Sequence, residues 1–224
     1  MKKVSIVVPV YNQLKMTINC LNDVLKTSGV DIEIIVVDDG SKEPIRMAIP
    51  KLFPTAKLLY NETNLGFAKT VNKGISAATS DYILLLNNDI QIDSPFWLKI
   101  MLEAMEKRQL DMVAPAGGRM NGRWEYQPGE AIKEIDDFSY LVGWCLLIHR
   151  RVFNKIGLVS QAFGRGFWED VLFSYDAKKA GFKLGIVENT KVRHLYHQTF
   201  KAEGYDLNKE YHEKRKIFLE VIKK

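Results

Sequence analysis

The residues best equipped for chemistry stand where predicted strands end. Val4 to Val10 runs into Tyr11-Asn12, Ile32 to Val37 into Asp38-Asp39-Gly40-Ser41, and Tyr82 to Leu86 into Asn87-Asn88-Asp89. Asn, Asp and Ser favour turns and helix caps, so any one of these ends alone reads as punctuation. Three of them on one sheet edge point instead to a binding site, because open parallel sheets take ligands beyond the carboxyl ends of their strands. The turn after the first strand, Tyr11-Asn12-Gln13, is not Gly-rich, and no Gly-Lys-Ser/Thr loop occurs. Both common backbone cradles for phosphate are therefore missing. Acidic strand ends without such a cradle imply that a divalent metal neutralises phosphate charge.

The elements that must position these residues alternate cleanly in the first half. After the first strand, Leu14, Ile18, Leu21 and Leu25 fall on one helical face. Helices are predicted over Ile45 to Phe53, from Gly66-Phe67 to about Ala78, and over Phe96 to Lys107, with Lys57 to Tyr60 as a further strand. Buried strands alternating with helices give an α/β fold, a mostly parallel sheet flanked by helices. The second half is less regular. Met112 to Ala114 reads as a short strand, Gly117 to Gly129 as a loop with four glycines, and Tyr140 to Ile148 as one apolar strand containing Gly143. Arg151 to Ile156 is a short helix stopped by Gly157, and Phe163 to Trp168 is a loop leading into a helix over Glu169 to Ala180. Leu184 to Val187 is the last predicted strand.

Of 224 residues, 46% are hydrophobic and 26% charged, which excludes disordered, collagen-like and disulfide-scaffold classes. The net charge of +5 is too small and too dispersed for a nucleic-acid surface. Met1-Lys2-Lys3 before an apolar run has the look of a signal peptide, but Pro9 breaks the run and no small-residue cleavage site follows. Cys20 and Cys145 form no metal or redox spacing, as expected of a cytoplasmic protein. Residues 1–208 read as one catalytic domain, with halves meeting near residue 115, and residues 209–224 as a basic amphipathic helix. There Tyr211, Phe218, Val221 and Ile222 share one face, with three positive charges in excess. Such a stripe is suited to packing on the domain, to another subunit, or to peripheral contact with an anionic membrane.

The ordered set Val4-Ser5-Ile6-Val7-Val8-Pro9-Val10-Tyr11-Asn12, Ile34-Ile35-Val36-Val37-Asp38-Asp39-Gly40-Ser41, Asn64-Leu65-Gly66-Phe67-Ala68 and Leu84-Leu85-Leu86-Asn87-Asn88-Asp89 resembles the family 2 glycosyltransferases of the GT-A fold. Gly143-Trp144-Cys145 with Arg150-Arg151-Val152-Phe153, then Trp168-Glu169-Asp170 with Lys179-Ala180-Gly181-Phe182, resemble the acceptor half of that family. The likeness extends over about residues 4 to 197. Each motif is weak alone; their order and spacing are specific.

The resemblance implies roles. Pro9, Tyr11, Asn12 and Asp39 would line the donor nucleotide, with Asp39 accepting from the base imide N–H, and Gly66 would let backbone approach the base. Asn88 would hydrogen-bond the ribose. Asp89 would ligate Mn²⁺ or Mg²⁺, although Asn87 and Asn88 are neutral where the family often has more acids. A metal-binding His often follows the last strand in the family, a place His194 matches better than His197. Asp170 would be the base that takes the acceptor hydroxyl's proton. Glu169, Trp144 and Trp168 would face the acceptor, although the Arg that usually follows this acid pair is replaced by Ser174-Tyr175-Asp176. The implied activity is inverting transfer of a hexosyl or deoxyhexosyl unit from a UDP- or dTDP-linked donor to a hydroxyl of a saccharide or lipid-linked acceptor. A nucleotidyltransferase would want a basic Gly-rich first loop, which is absent. A non-catalytic nucleotide-sugar binding module is the alternative, motivated by the thinned acidic motif.

Overall fold

In the computed structural model, residues 2–128, 132–195, 204 and 206–223 are described. The chain runs β1 (Lys3–Val10), α1 (Leu14–Leu25), β2 (Asp31–Asp39), α2 (Ile45–Leu52), β3 (Lys57–Asn61), α3 (Phe67–Ala77), β4 (Tyr82–Leu86), β5 (Ile90–Ile92) and α4 (Trp97–Lys107). It continues with β6 (Met112–Ala114), β7 (Gly117–Arg119), β8 (Ser139–Leu141), β9 (Cys145–His149), α5 (Arg150–Ile156) and a 3₁₀ turn (Gln161–Phe163). The last described elements are α6 (Glu169–Lys179), β10 (Leu184–Ile186), β11 (Val192–His194) and α7 (Leu207–Val221).

Seven strands form the central sheet in the order β10-β6-β9-β4-β1-β2-β3. Strand pairs β1–β2, β1–β4, β2–β3 and β6–β10 are parallel, and β9 lies antiparallel to both β4 and β6. The mostly parallel sheet expected from the alternation is present. Side chains alternate along β1, so Val4, Ile6, Val8 and Val10 pack with α1, α2 and α4, while Val7 packs with α3 on the other face. Each fully buried Val, Leu or Ile contributes about 1.5–3 kcal/mol, so these two layers supply most of the stability. Among the described residues, no helix is long and apolar enough to cross a membrane.

Several sequence expectations change. Strand β2 continues through Asp38 and Asp39 instead of stopping before them, because both pair with β3 and their carboxylates find partners. Helix α1 buries Thr17, Cys20, Leu21 and Val24, which turns Leu25 outward to 48% exposure. The glycine-rich loop contains a real strand, β7, paired with β8. The apolar run Tyr140 to Ile148 splits at Val142-Gly143-Trp144 into β8 and β9, since the Gly143 N–H leaves the ladder to bond a carboxylate on α6. Strands β5 and β11, three residues each, were below the length at which periodicity can be seen.

The apolar stripe of α7 is occupied within the chain. Phe218 is fully buried and packs with Phe163, Trp168, Val171 and Leu172, and Tyr211, Val221 and Ile222 border the same cluster. Arg215 donates to the carbonyls of Arg123 and Trp124 and pairs with Glu125.

Candidate active site

The carboxyl ends of β1, β2 and β4 open into one cleft of about 530 Å³. Pro9, Tyr11, Asp39, Gly66, Asn88, Asp89, Trp144, Trp168, Glu169, Asp170 and His194 all line it. Among the described residues given a site role by the resemblance, Asn12 does not line the cleft, nor do Asp38 and Ser41 at the end of β2. Asn12 Oδ1 accepts from the N–H groups of Lys42 and Glu43 and the Asn12 N–H donates to Ser41 Oγ, so Asn12 ties the end of β1 to the turn after β2. His197 falls outside the described residues.

The sheet-edge side of the cleft is built from satisfied carboxylates. Asp38 is buried and bonded by Arg46 Nε at 3.1 Å, while Arg46 also reaches the Asn61 carbonyl and lies over the Tyr60 ring. Asp39 Oδ1 accepts from Asn61 Nδ2 at 2.8 Å and from the Leu65 N–H at 2.9 Å, and its Oδ2 accepts from the Gly66 N–H at 3.0 Å. Oδ2, with a single bond, keeps acceptor capacity toward the cleft. Gly66 adopts φ 91, and a Cβ there would stand 2.3 Å from the Gly164 carbonyl oxygen. Only glycine fits this crossing point between the two sides of the cleft.

Asp89 and His194 lie 105 residues apart in sequence, yet their Oδ1 and Nε2 are 3.0 Å apart. The β5–β11 pair brings them together by setting His194 opposite Ile90. Trp144 stacks on the imidazole with ring centroids 5.2 Å apart and planes 7° from parallel. Asn88 turns its amide away to donate to Thr17 Oγ1 at 2.9 Å. A carboxylate oxygen beside an imidazole nitrogen is a donor set suited to Mn²⁺ or Mg²⁺, which bind through one or two protein ligands when substrate phosphates complete the shell. Among the described residues, no third His, Cys, Asp or Glu joins them in a cluster able to hold a metal on its own.

Glu169 and Asp170 begin α6 after an irregular turn in which Phe167 and Trp168 adopt φ 71 and 73. Asp170 is anchored by the Gly143 N–H to Oδ2 at 3.0 Å and the Val171 N–H to Oδ1 at 2.9 Å. Glu169 Oε2 is buried without a hydrogen-bond partner among the described residues. Both residues are half-buried and line the cleft. Burial, joined by the charge of Asp170, pushes Glu169 up to about 8, with Lys214 of α7 pulling weakly the other way. Burial also raises Asp170, and the two N–H donors resist that rise. Fixed donors favour the charged form, so of the two acids Asp170 is the one that gives up its proton more readily.

Sequence reasoning missed Tyr126, Tyr140, Arg165 and Tyr211, which also line the cleft. Tyr126 and Tyr140 come from the irregular β7–β8 region and Arg165 from the turn before α6. Tyr211 was visible only as a member of the apolar stripe of α7, where an aromatic reads as packing.

The model of the family described as Glycosyl transferase family 2 matches residues 5–157. Among curated proteins, the chain is 32% identical over 113 residues to Glycosyltransferase GlyG of Streptococcus pneumoniae, covering 49% of this chain and 37% of that one. It is 27% identical over 193 residues to the uncharacterized glycosyltransferase EpsJ of Bacillus subtilis, covering 78% of this chain and 54% of the relative. The chain thus spans about half or less of the length of these relatives. Two solved structures share its fold. The mannosyltransferase PcManGT from Pyrobaculum calidifontis, in complex with GDP-Man and Mn²⁺, aligns with a TM-score of 0.70 at 16% identity, over 89% of this chain and 59% of that one. S. aureus TarS 1-349 aligns with a TM-score of 0.66 at 23% identity, over 84% of this chain and 58% of that one. With the family model matching over two thirds of its length and its sheet superposing on glycosyltransferases of the GT-A fold, the chain belongs to glycosyl transferase family 2.

Proposed function

We propose that the protein is an inverting glycosyltransferase that moves a hexosyl or deoxyhexosyl unit from a UDP- or dTDP-linked donor to a hydroxyl of a saccharide or lipid-linked acceptor. The observation that carries this reading is the meeting of Asp39, the Asp89–His194 pair and the Asp170 carboxylate in one cleft. Each suits one part of a nucleotide sugar and its attack by a hydroxyl. Asp39 Oδ2 accepts the imide N–H common to uracil and thymine, while Pro9, Tyr11 and Asn88 border the nucleoside. Asp89 and His194 would hold Mn²⁺ or Mg²⁺, and the PcManGT complex with GDP-Man and Mn²⁺ supports that assignment. When bound, the ion offsets the negative charge that gathers on the departing diphosphate. Trp144 keeps the imidazole oriented for that task.

Asp170 takes the proton of the acceptor hydroxyl as its oxygen forms a bond to the anomeric carbon, and the bond from that carbon to the diphosphate oxygen breaks. The backbone donors on Asp170 keep it ionised and aimed, the condition for a general base. Glu169, holding a proton, stands beside it as a donor to acceptor oxygens and adds no second negative charge. Trp168 borders the acceptor. The stripe of α7 is spent on packing against the domain, so any membrane contact would have to come from its exposed basic residues, such as Lys209, Lys216 and Lys223.

A thermal-shift screen of nucleotide sugars with Mn²⁺ tests the reading, since a ligand that binds only the folded state raises Tm by mass action. UDP- or dTDP-sugars should stabilise the protein, and the best of them should be slowly hydrolysed. Stabilisation without hydrolysis or transfer would instead identify a non-catalytic binding module.

A further inference from the structure

Two loops wall the cleft opposite the donor side, and α7 holds both. The first, between β7 and β8, carries Tyr126. Its N–H donates to the Tyr211 phenol oxygen at 2.7 Å, and Arg215 Nε donates to the neighbouring Trp124 carbonyl at 2.8 Å. The second loop delivers the acid pair and contains the left-handed Phe167 and Trp168, a backbone that persists only where its surroundings enforce it. The same helix packs on this turn. Trp168 packs against Tyr211 with ring centroids 5.4 Å apart and planes 46° from parallel, and against Phe218 at 5.0 Å. Phe218 is fully buried, but Tyr211, two helical turns earlier, borders the cleft beside Trp168, Glu169 and Asp170.

We propose that Tyr211 is an acceptor-binding residue, its ring extending Trp168 into an aromatic wall for the C–H face of a pyranose, so that α7 sets acceptor specificity toward saccharides. The inference rests on the reading of the Trp168–Asp170 side as the acceptor side. The bond from Tyr126 fixes the phenol oxygen as an acceptor and leaves its hydrogen for a ligand hydroxyl. Flat apolar faces with polar edges match a sugar ring, which presents C–H groups on its faces and hydroxyls around its rim. Tyr126 and Tyr140 continue that wall.

Saturation-transfer NMR reads such contacts directly. The full chain with Mg²⁺ is titrated with UDP, dTDP and three probes: methyl β-glucoside, methyl α-mannoside and methyl N-acetyl-β-glucosaminide. At least one glycoside should gain signal on its ring protons, and Tyr211→Ala should cut that signal about tenfold while nucleotide signals persist. Tyr211→Leu, which keeps apolar packing on Trp168, should lose the glycoside signal as well, and Tyr211→Phe should retain most of it. Lys216→Ala, on the exposed side of α7, should change nothing. Undiminished glycoside signal in Tyr211→Ala, or none in the unmodified protein that binds nucleotide, overturns the proposal. Failure of both nucleotides to bind the unmodified protein overturns the donor reading beneath it.

Discussion

The two sides of the cleft, proposed to bind donor and acceptor, are made in different ways. The donor side is the edge of a sheet: Asp38 and Asp39 lie within β2, and each carboxylate meets fixed donors such as Arg46, Asn61 and the Gly66 N–H. The acceptor side is a set of loops clasped by α7, and it contains a buried carboxyl oxygen, Glu169 Oε2, with no partner among the described residues. A sheet edge with satisfied charges recognises one rigid ligand repeatedly. A loop wall holding a titratable group can be reshaped by a few substitutions, and the proposed mechanism moves its proton there. Rigidity and reactivity are thus assigned to opposite walls of one cavity.

That contrast can be tested most severely at Asp170. Asp170→Asn should leave UDP or dTDP affinity by calorimetry nearly unchanged while transfer falls by about two to four orders of magnitude. A parallel loss of nucleotide affinity would mean that the two walls are not separable. Where they touch, Gly66→Ala should be costly. Its left-handed φ and the collision with the Gly164 carbonyl should lower stability by about 1–3 kcal/mol, visible in urea unfolding. Unchanged stability in Gly66→Ala would show that the contact is slack.

On the donor wall, CDP should bind more weakly than UDP or dTDP. Cytosine presents an acceptor where the imide presents N–H, and a buried mismatch of this kind costs roughly 1–3 kcal/mol. Equal affinities would remove Asp39 from base recognition. The smallest effect concerns stability against pH. Glu169 is raised in the folded protein from 4.5 to about 8. The folded state therefore holds a proton that the unfolded chain has released, and stability falls as pH rises through that window. Glu169→Gln should flatten this slope, its Tm exceeding that of the unmodified protein at pH 8 and converging with it near pH 5. Identical Tm profiles would place the proton elsewhere in the pair.

The two walls also differ in how far the sequence revealed them. Alternating helices and β-branched strands made β1 to β4 and α4 readable, and the polar ends of β1, β2 and β4 marked the edge proposed to bind the donor. The acceptor wall was obscured for physical reasons. Gly117-Gly118 has no side-chain period to show a strand, and Gly143 breaks an apolar run through a bond to a residue 27 positions away. Asp89 and His194 meet only through three-residue strands, so the family resemblance, not local pattern, linked them. Asn12 bears the residue type of a ligand but ties two turns together. Tyr211 sits on a stripe whose other members, Phe218, Val221 and Ile222, pack into one apolar cluster, and nothing in a helical period separates the one aromatic that faces a cavity.

Strand β9 has a consequence for how the chain reaches this state. It enters the sheet between β4 and β6, although it follows both in sequence. Until residues 145–149 arrive, β4 and β6 each expose a row of unpaired N–H and C=O groups along apolar strands, an invitation to pair with other molecules. Closing that gap pairs residues 59 to 67 positions apart for β4, from Leu86 with Cys145 to Tyr82 with His149, a slow kind of step in which loop entropy is lost before contacts form. The donor wall, for all its regularity, is therefore not an independent folding unit: a fragment ending before Cys145 should collect as aggregates, because what it lacks is the middle of its own sheet.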